Sequence, residues 1–129
     1  MTTDQPWWLT MPPAELAATI LPLLSSSTPL DEREAMDAIV SWFRTGSTIG
    51  AKVPISFTLA SFLARFNDPD YVVVAEAMQV LERAGLLRRA LYVSDYSNFY
   101  VGLTRLGRHA LQTNTVRQHL GLDDAAPAQ

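Results

Sequence analysis

Apolar residues recur at helical spacing along most of the chain, and polar breaks between them mark where one element ends and the next begins. Leu16, Ile20, Leu23 and Leu24 form one stripe after Pro12 and Pro13, a pair suited to a helix start. A short leading helix over 13–24 follows, with Pro22 arguing for a kink or an early end. Ser25 to Thr28 is a polar break. Thr28 is a good N-cap, with Pro29 at the first helical position and Asp31 placed to favour the helix dipole, so a second helix is expected over 29–45. Met36, Ile39, Val40 and Phe43 share its apolar face, while Asp31, Glu32, Arg33, Glu34 and Asp37 read as a solvated one. Residues 46–52 are a loop by composition, and Val53-Pro54-Ile55 reads as a brief edge strand. Ser56 or Thr58 then caps a helix over 57–66. Asn67 to Asp70 makes a turn, in which Asp68 caps a helix over 69–84 that carries Pro69 at its first position.

In that helix Val74, Met78 and Leu81 form the apolar face, and Gly85 followed by Leu86 stands where a left-handed C-cap ends it. Two β-rich runs, 87–94 and 99–104, flank the polar stretch Ser94 to Asn98 and predict a hairpin. A last helix over 104–119 places Leu106, Ala110, Thr113, Val116 and Leu120 along one side.

This order includes Leu-Ala-x-x-Leu at 59–63, Leu-Glu-x-x-Gly-Leu-Leu at 81–87, the hairpin, and Leu-Thr-x-x-Gly-x-x-x-Leu at 103–111. Over residues 30–120 it resembles the winged helix-turn-helix superfamily, as in the MarR and PadR families of bacterial regulators. The resemblance implies a mainly α fold with a small β-hairpin, carrying an extra N-terminal helix and a C-terminal helix. It divides the chain into an N-terminal arm and short helix at 1–28, a winged-helix domain at 29–120 and a disordered tail at 121–129. In such a domain helix 69–84 is the recognition helix, and the terminal helices pair subunits into a homodimer.

The 129 residues are 48% hydrophobic, enough for one packed domain. The absence of cysteine excludes disulfides and thiolate metal sites and suits a reducing cytoplasm. The opening MTTDQPWW has no basic region of a signal peptide, and no apolar run reaches the ~18 residues of a membrane span. Trp7, Trp8, Leu9 and Met11 are too apolar for a free tail, so this arm is expected to lie across the domain or across a partner subunit. Trp7, Trp8, Leu16, Ile20, Leu106, Val116 and Leu120 are the candidate dimer or partner contacts.

No motif supports an enzyme, a cofactor or a metal. His109 and His119, ten apart on one predicted helix, lie about 80° apart around its axis and nearly three turns along it, so they do not share an ion within one chain. No phosphate-binding glycine pattern is present, and Ser25-Ser26-Ser27 has no activating motif around it. With Val74, Met78 and Leu81 inward, the helix at 69–84 turns Val72, Glu76, Gln79 and Arg83 outward. Gln79 suits an adenine, Val72 a thymine methyl, Glu76 a cytosine amino group and Arg83 a phosphate or guanine. Against DNA binding stand the net charge of −3, the zero charge of that stripe, and Asp68 and Asp70 at the helix start. Arg88 or Arg89 on the hairpin, with Arg65, Arg105 and Arg108 to complete a patch, are the cationic candidates, and Arg88 and Arg105 are the two chosen. Arg88 and Arg89, adjacent on a strand, must face opposite ways. Two functions follow. One is a homodimeric transcriptional regulator on double-stranded DNA. The other is a protein-contact module using Trp7, Trp8, Val72, Val73, Val80, Tyr92, Tyr96 and Tyr100.

Overall fold

In the computed structural model, residues 6–25, 30–47, 66–92 and 95–122 are described. The chain is mainly helical with an antiparallel β-hairpin. A single helical turn, α1 (Trp7–Thr10), leads into α2 (Pro13–Ile20), which starts behind Pro12 as the sequence predicts. Pro22 has no N–H to continue the α-helical ladder, and the chain tightens into a 3-10 turn over Leu21–Leu24. Strand β1 (Leu30–Asp31) precedes α3 (Glu32–Thr45), and α4 (Pro69–Arg83) leads into β2 (Leu87–Tyr92) and β3 (Asp95–Leu103). Helices α5 (Arg105–Thr113) and α6 (Val116–His119) close the described chain. No helix among the described residues is long and apolar enough to cross a membrane.

Helix α4 begins and ends as its sequence dictates. Asp68 accepts from the backbone N–H of Asp70, Pro69 occupies the first turn, and Val74, Ala77, Met78 and Leu81 face the core. At its other end the N–H of Leu86 reaches the carbonyl of Leu81 and that of Gly85 reaches Glu82, both at 3.0 Å. This closure needs a left-handed residue, which Gly85 supplies at φ 78°. The same geometry recurs after Thr113, where Asn114 takes the left-handed position and Thr115 bonds back to Ala110. The helix expected over 104–119 is therefore two pieces. Its expected stripe is broken with it: Ala110 and Val116 are buried, whereas Leu106 is 39% exposed. Gly121 and Leu122, expected in a disordered tail, instead close α6 through bonds to Gln118 and Arg117.

Further expectations are corrected. Helix α3 starts at Glu32, not at Pro29, with Asp31 as its N-cap accepting from the N–H groups of Arg33 and Glu34. Asp31 and Asp37, expected in solvent, are both buried. The first serves as cap, and the second accepts a 2.5 Å hydrogen bond from the Tyr71 hydroxyl on α4. In the sheet, β3 lies between β1 and β2. β1 pairs Leu30 with Val101 and Asp31 with Tyr100, so the edge strand seen here precedes α3. The strand expected at 53–55 and all but the last residue of the helix expected at 57–66 lie outside the described residues. β3 begins at Asp95, inside the predicted turn. Pairing shifts from Leu91↔Phe99 to Tyr92↔Asp95, so residues 96–98 form an irregularity within the polar run.

Leu16, Ile20, Leu21 and Leu24 are no more than 1% exposed and join Ile39, Val40, Val74, Leu81, Leu86 and Val101 in one core. The leading helix is thus part of that core, packed against α4. Where α4, the hairpin and α5 meet, the Thr104 N–H bonds to the Leu86 carbonyl and its hydroxyl to the Gly85 carbonyl. Gly107 presses so closely there that an added Cβ would collide with the Leu86 carbonyl oxygen. Gly107→Ala should therefore destabilise the fold by about 1–3 kcal/mol or more in urea unfolding, through forced backbone separation. Gly102→Ala, with open space at its Cβ, should change stability by less than about 1 kcal/mol.

Candidate nucleic-acid interface

The outward face of α4 is as the helical spacing predicts: Val72, Glu76, Gln79 and Arg83 are all exposed, while their inward neighbours are buried. What holds this face in place lies at the helix start. The Arg44 guanidinium at the end of α3 bonds to Asp70 at 2.8 Å and to Asp68 at 3.0 Å. These bonds, chiefly that to Asp70, raise the Arg44 pKa above its ordinary value. The second oxygen of Asp70 accepts the indole N–H of Trp8 at 2.7 Å. Trp8 also stacks on Phe43 at 5.3 Å, and Trp7 meets Trp8, Trp42 and Phe43 edge-on. The arm is therefore docked across its own domain. Both aspartates, expected to oppose a phosphate backbone, are engaged by a cation or a donor. Asp70 lies about 200° around the helix from Val72, so the arm grips the inner flank of α4 and leaves its outward stripe open.

The described arginines divide into two sets. Arg33 pairs with Asp31, Arg44 with Asp68 and Asp70, and Arg117 with Glu15 at 2.6 Å. Arg89 joins Glu32 at 3.2 Å and Glu82 at 3.7 Å. It shares one face of β2 with Leu87, and its neighbour Arg88 points to the other; both arginines are exposed. Arg83, Arg88, Arg105 and Arg108 form the other set. All four are exposed, and none makes an ion pair with another described residue. They sit close to the junction of Gly85 and Leu86 with Thr104: at the last turn of α4, the start of β2 and the first turns of α5. Sequence reasoning singled out three of them and took Arg108 only as a possible addition. Spacing alone could not show which arginines were already committed to acids.

The expected subunit contacts fare differently. Leu16, Ile20 and Val116 are 1%, 0% and 8% exposed within one chain, so the core they were thought to offer a partner is already closed. Trp8 and Leu120 are half-buried, and Trp7 and Leu106 keep 42% and 39% of their surface. Val73 and Val80 are half-buried against the core. Arg65 lies outside the described residues. His109 and His119 are exposed on two separate helices, and the described residues contain no group of three or more His, Cys, Asp or Glu able to hold a metal. Compared with known proteins, the chain matches no family, no curated protein and no solved structure.

Trp8→Phe keeps the stacking on Phe43 but deletes the donor to Asp70. It should lower stability by about 1–2 kcal/mol in urea unfolding, and an unchanged midpoint would show that the indole N–H contributes nothing. Two glutamates should respond oppositely to pH. The hydrogen bond from Arg117 holds the Glu15 carboxyl below its ordinary 4.5, so its contribution is present above that pH and lost as pH falls through the lowered value. Burial raises Glu32 above 4.5 against the pull of Arg89, so its contribution is full below that pH and lost as pH rises through the raised value. In thermal unfolding at pH 3 and pH 7, Glu15→Gln should cost stability only at pH 7. Glu32→Gln should gain relative to wild type between the two pH values. Each effect should stay within about 1 kcal/mol for such solvent-screened pairs.

Proposed function

We propose that the chain is a winged helix-turn-helix DNA-binding protein acting as a transcriptional regulator, with α4 as its recognition helix and the hairpin as its wing. The observation that carries this reading is the outward stripe of Val72, Glu76, Gln79 and Arg83. It is open to solvent, with three polar residues of its four, and it is set on a helix whose start is fixed by Arg44 and Trp8 and whose end leads straight into the hairpin. Arg83, Arg88 and Arg105 supply phosphate contacts without first leaving an acid. Two-fold association, which would set two such helices in successive grooves, rests on Trp7, Leu106 and Leu120, because Leu16, Ile20 and Val116 are consumed within one chain.

A second reading, a protein-contact module, is favoured by one observation: Phe66 and Val72, near the start of α4, are 66% and 40% exposed. Apolar surface of that kind is what a partner protein covers.

Selection of preferred sites from a random duplex pool distinguishes the two. Under the regulator reading, Gln79→Ala should relax preference at one base pair, costing about 1–3 kcal/mol against the selected site, with little change in non-specific affinity. Glu76→Lys should raise affinity for all duplexes. Absence of any enriched site, with Glu76→Lys without effect, would remove α4 from the groove and favour the protein-contact reading.

A further inference from the structure

We infer that the outer face of α5 is a second nucleic-acid surface that tracks the phosphate backbone of duplex DNA independently of base sequence. The inference rests on the nucleic-acid reading above but not on base recognition by α4.

Three observations converge on it. Arg105, Arg108, His109 and Gln112 are exposed at i, i+3, i+4 and i+7, which makes one continuous stripe, while Gly107 and Ala110 on the opposite side are buried. The stripe meets no acid of its own: from Tyr96 to Leu122 the sequence contains no Asp or Glu, and Arg117 within that span is committed to Glu15. Helix α5 also breaks the usual electrostatic rule. Its first turn has no acidic residue and begins with Arg105, followed by Arg108, where the helix dipole disfavours positive charge. A local rule broken without a partner to compensate it marks a position held for another purpose.

The partner follows from the chemistry. Arginine is the side chain suited to phosphate, and glutamine and histidine add donors to its oxygens. From Arg105 to Gln112 the stripe runs about 10 Å, and consecutive phosphates of one strand are separated by the ~3.4 Å rise and by the winding of the strand as well, so about two phosphates lie against it. A folded acidic protein would need its carboxylates arrayed at the same regular spacing, whereas a duplex has that spacing by construction.

The test uses the full chain and a fluorescently labelled duplex of random sequence, titrated by anisotropy across a range of salt. The wild type should bind with a strong salt dependence. Arg105→Gln with Arg108→Gln should weaken low-salt binding roughly tenfold or more and reduce the salt slope by about two units, one for each arginine withdrawn from a phosphate. Arg33→Gln removes the same kind of charge from the paired set and should leave the slope unchanged. Both sites are on the surface, and circular dichroism checks that each variant is folded. An unchanged slope in the double variant, or an equal loss in Arg33→Gln, overturns the inference. So does a wild type that ignores duplex DNA, including one that binds anionic vesicles or an acidic peptide instead. Salt-dependent binding that needs Arg105 and Arg108 but shows no base preference, with Gln79→Ala silent, keeps this surface and removes the regulator reading alone.

Discussion

The backbone carbonyl of Leu86 is the point on which the rest of the arrangement turns. It accepts the N–H of Thr104, and Gly107 lies directly against it, so the end of α4, the base of the hairpin and the start of α5 are locked at one place. Each partner has a local requirement of its own. Gly85 must close α4, Thr104 must cap α5 by accepting from Gly107, and position 107 must carry no side chain. Because those requirements coincide, the hairpin has one course out of α4, and the exposed arginines around the junction keep fixed positions relative to the outward stripe.

A second constraint works at the other end of α4. A helix start with two aspartates would be an obstacle to any anionic partner if both charges faced water. Here Arg44 bridges them, and Trp8 takes the remaining oxygen of Asp70. A donor to a charged acceptor is among the stronger hydrogen bonds a fold can make, and stacking on Phe43 orients the ring that supplies it. The acids thereby become part of the scaffold. The formal charge of −3 then says little about this end of α4: Asp31, Asp68 and Asp70 serve as caps or ion-pair partners, while Arg83, Arg88, Arg105 and Arg108 remain in solvent.

Much of this was legible in the residues. Asp68, Pro69 and Gly85 bound α4 where the structure does, and its buried and exposed faces follow from Val74, Met78 and Leu81. Thr104 starts α5 as expected. What misled were signals in competition. Thr28 with Pro29 is a good cap by type, but Asp31 held the position because Leu30 and Asp31 are needed as a strand beside β3. Asn114 reads as an ordinary polar residue in a helix until its left-handed backbone is seen. At the candidate site the limit was different in kind. Whether an arginine is free depends on acids far away in the chain, as with Arg89 and Glu32, and no local pattern encodes that.

The docking of the leading segment has a consequence for how the chain is made. Trp8 bonds to a residue 62 positions further on, and Glu15 to one 102 positions further on. Leu16, Ile20, Leu21 and Leu24 pack against a helix that emerges roughly 50 residues after them, which at synthesis rates of about 5–20 residues per second is several seconds. During that interval the nascent chain carries a bare apolar stripe, and its burial has to wait for the helix that the stripe will steady.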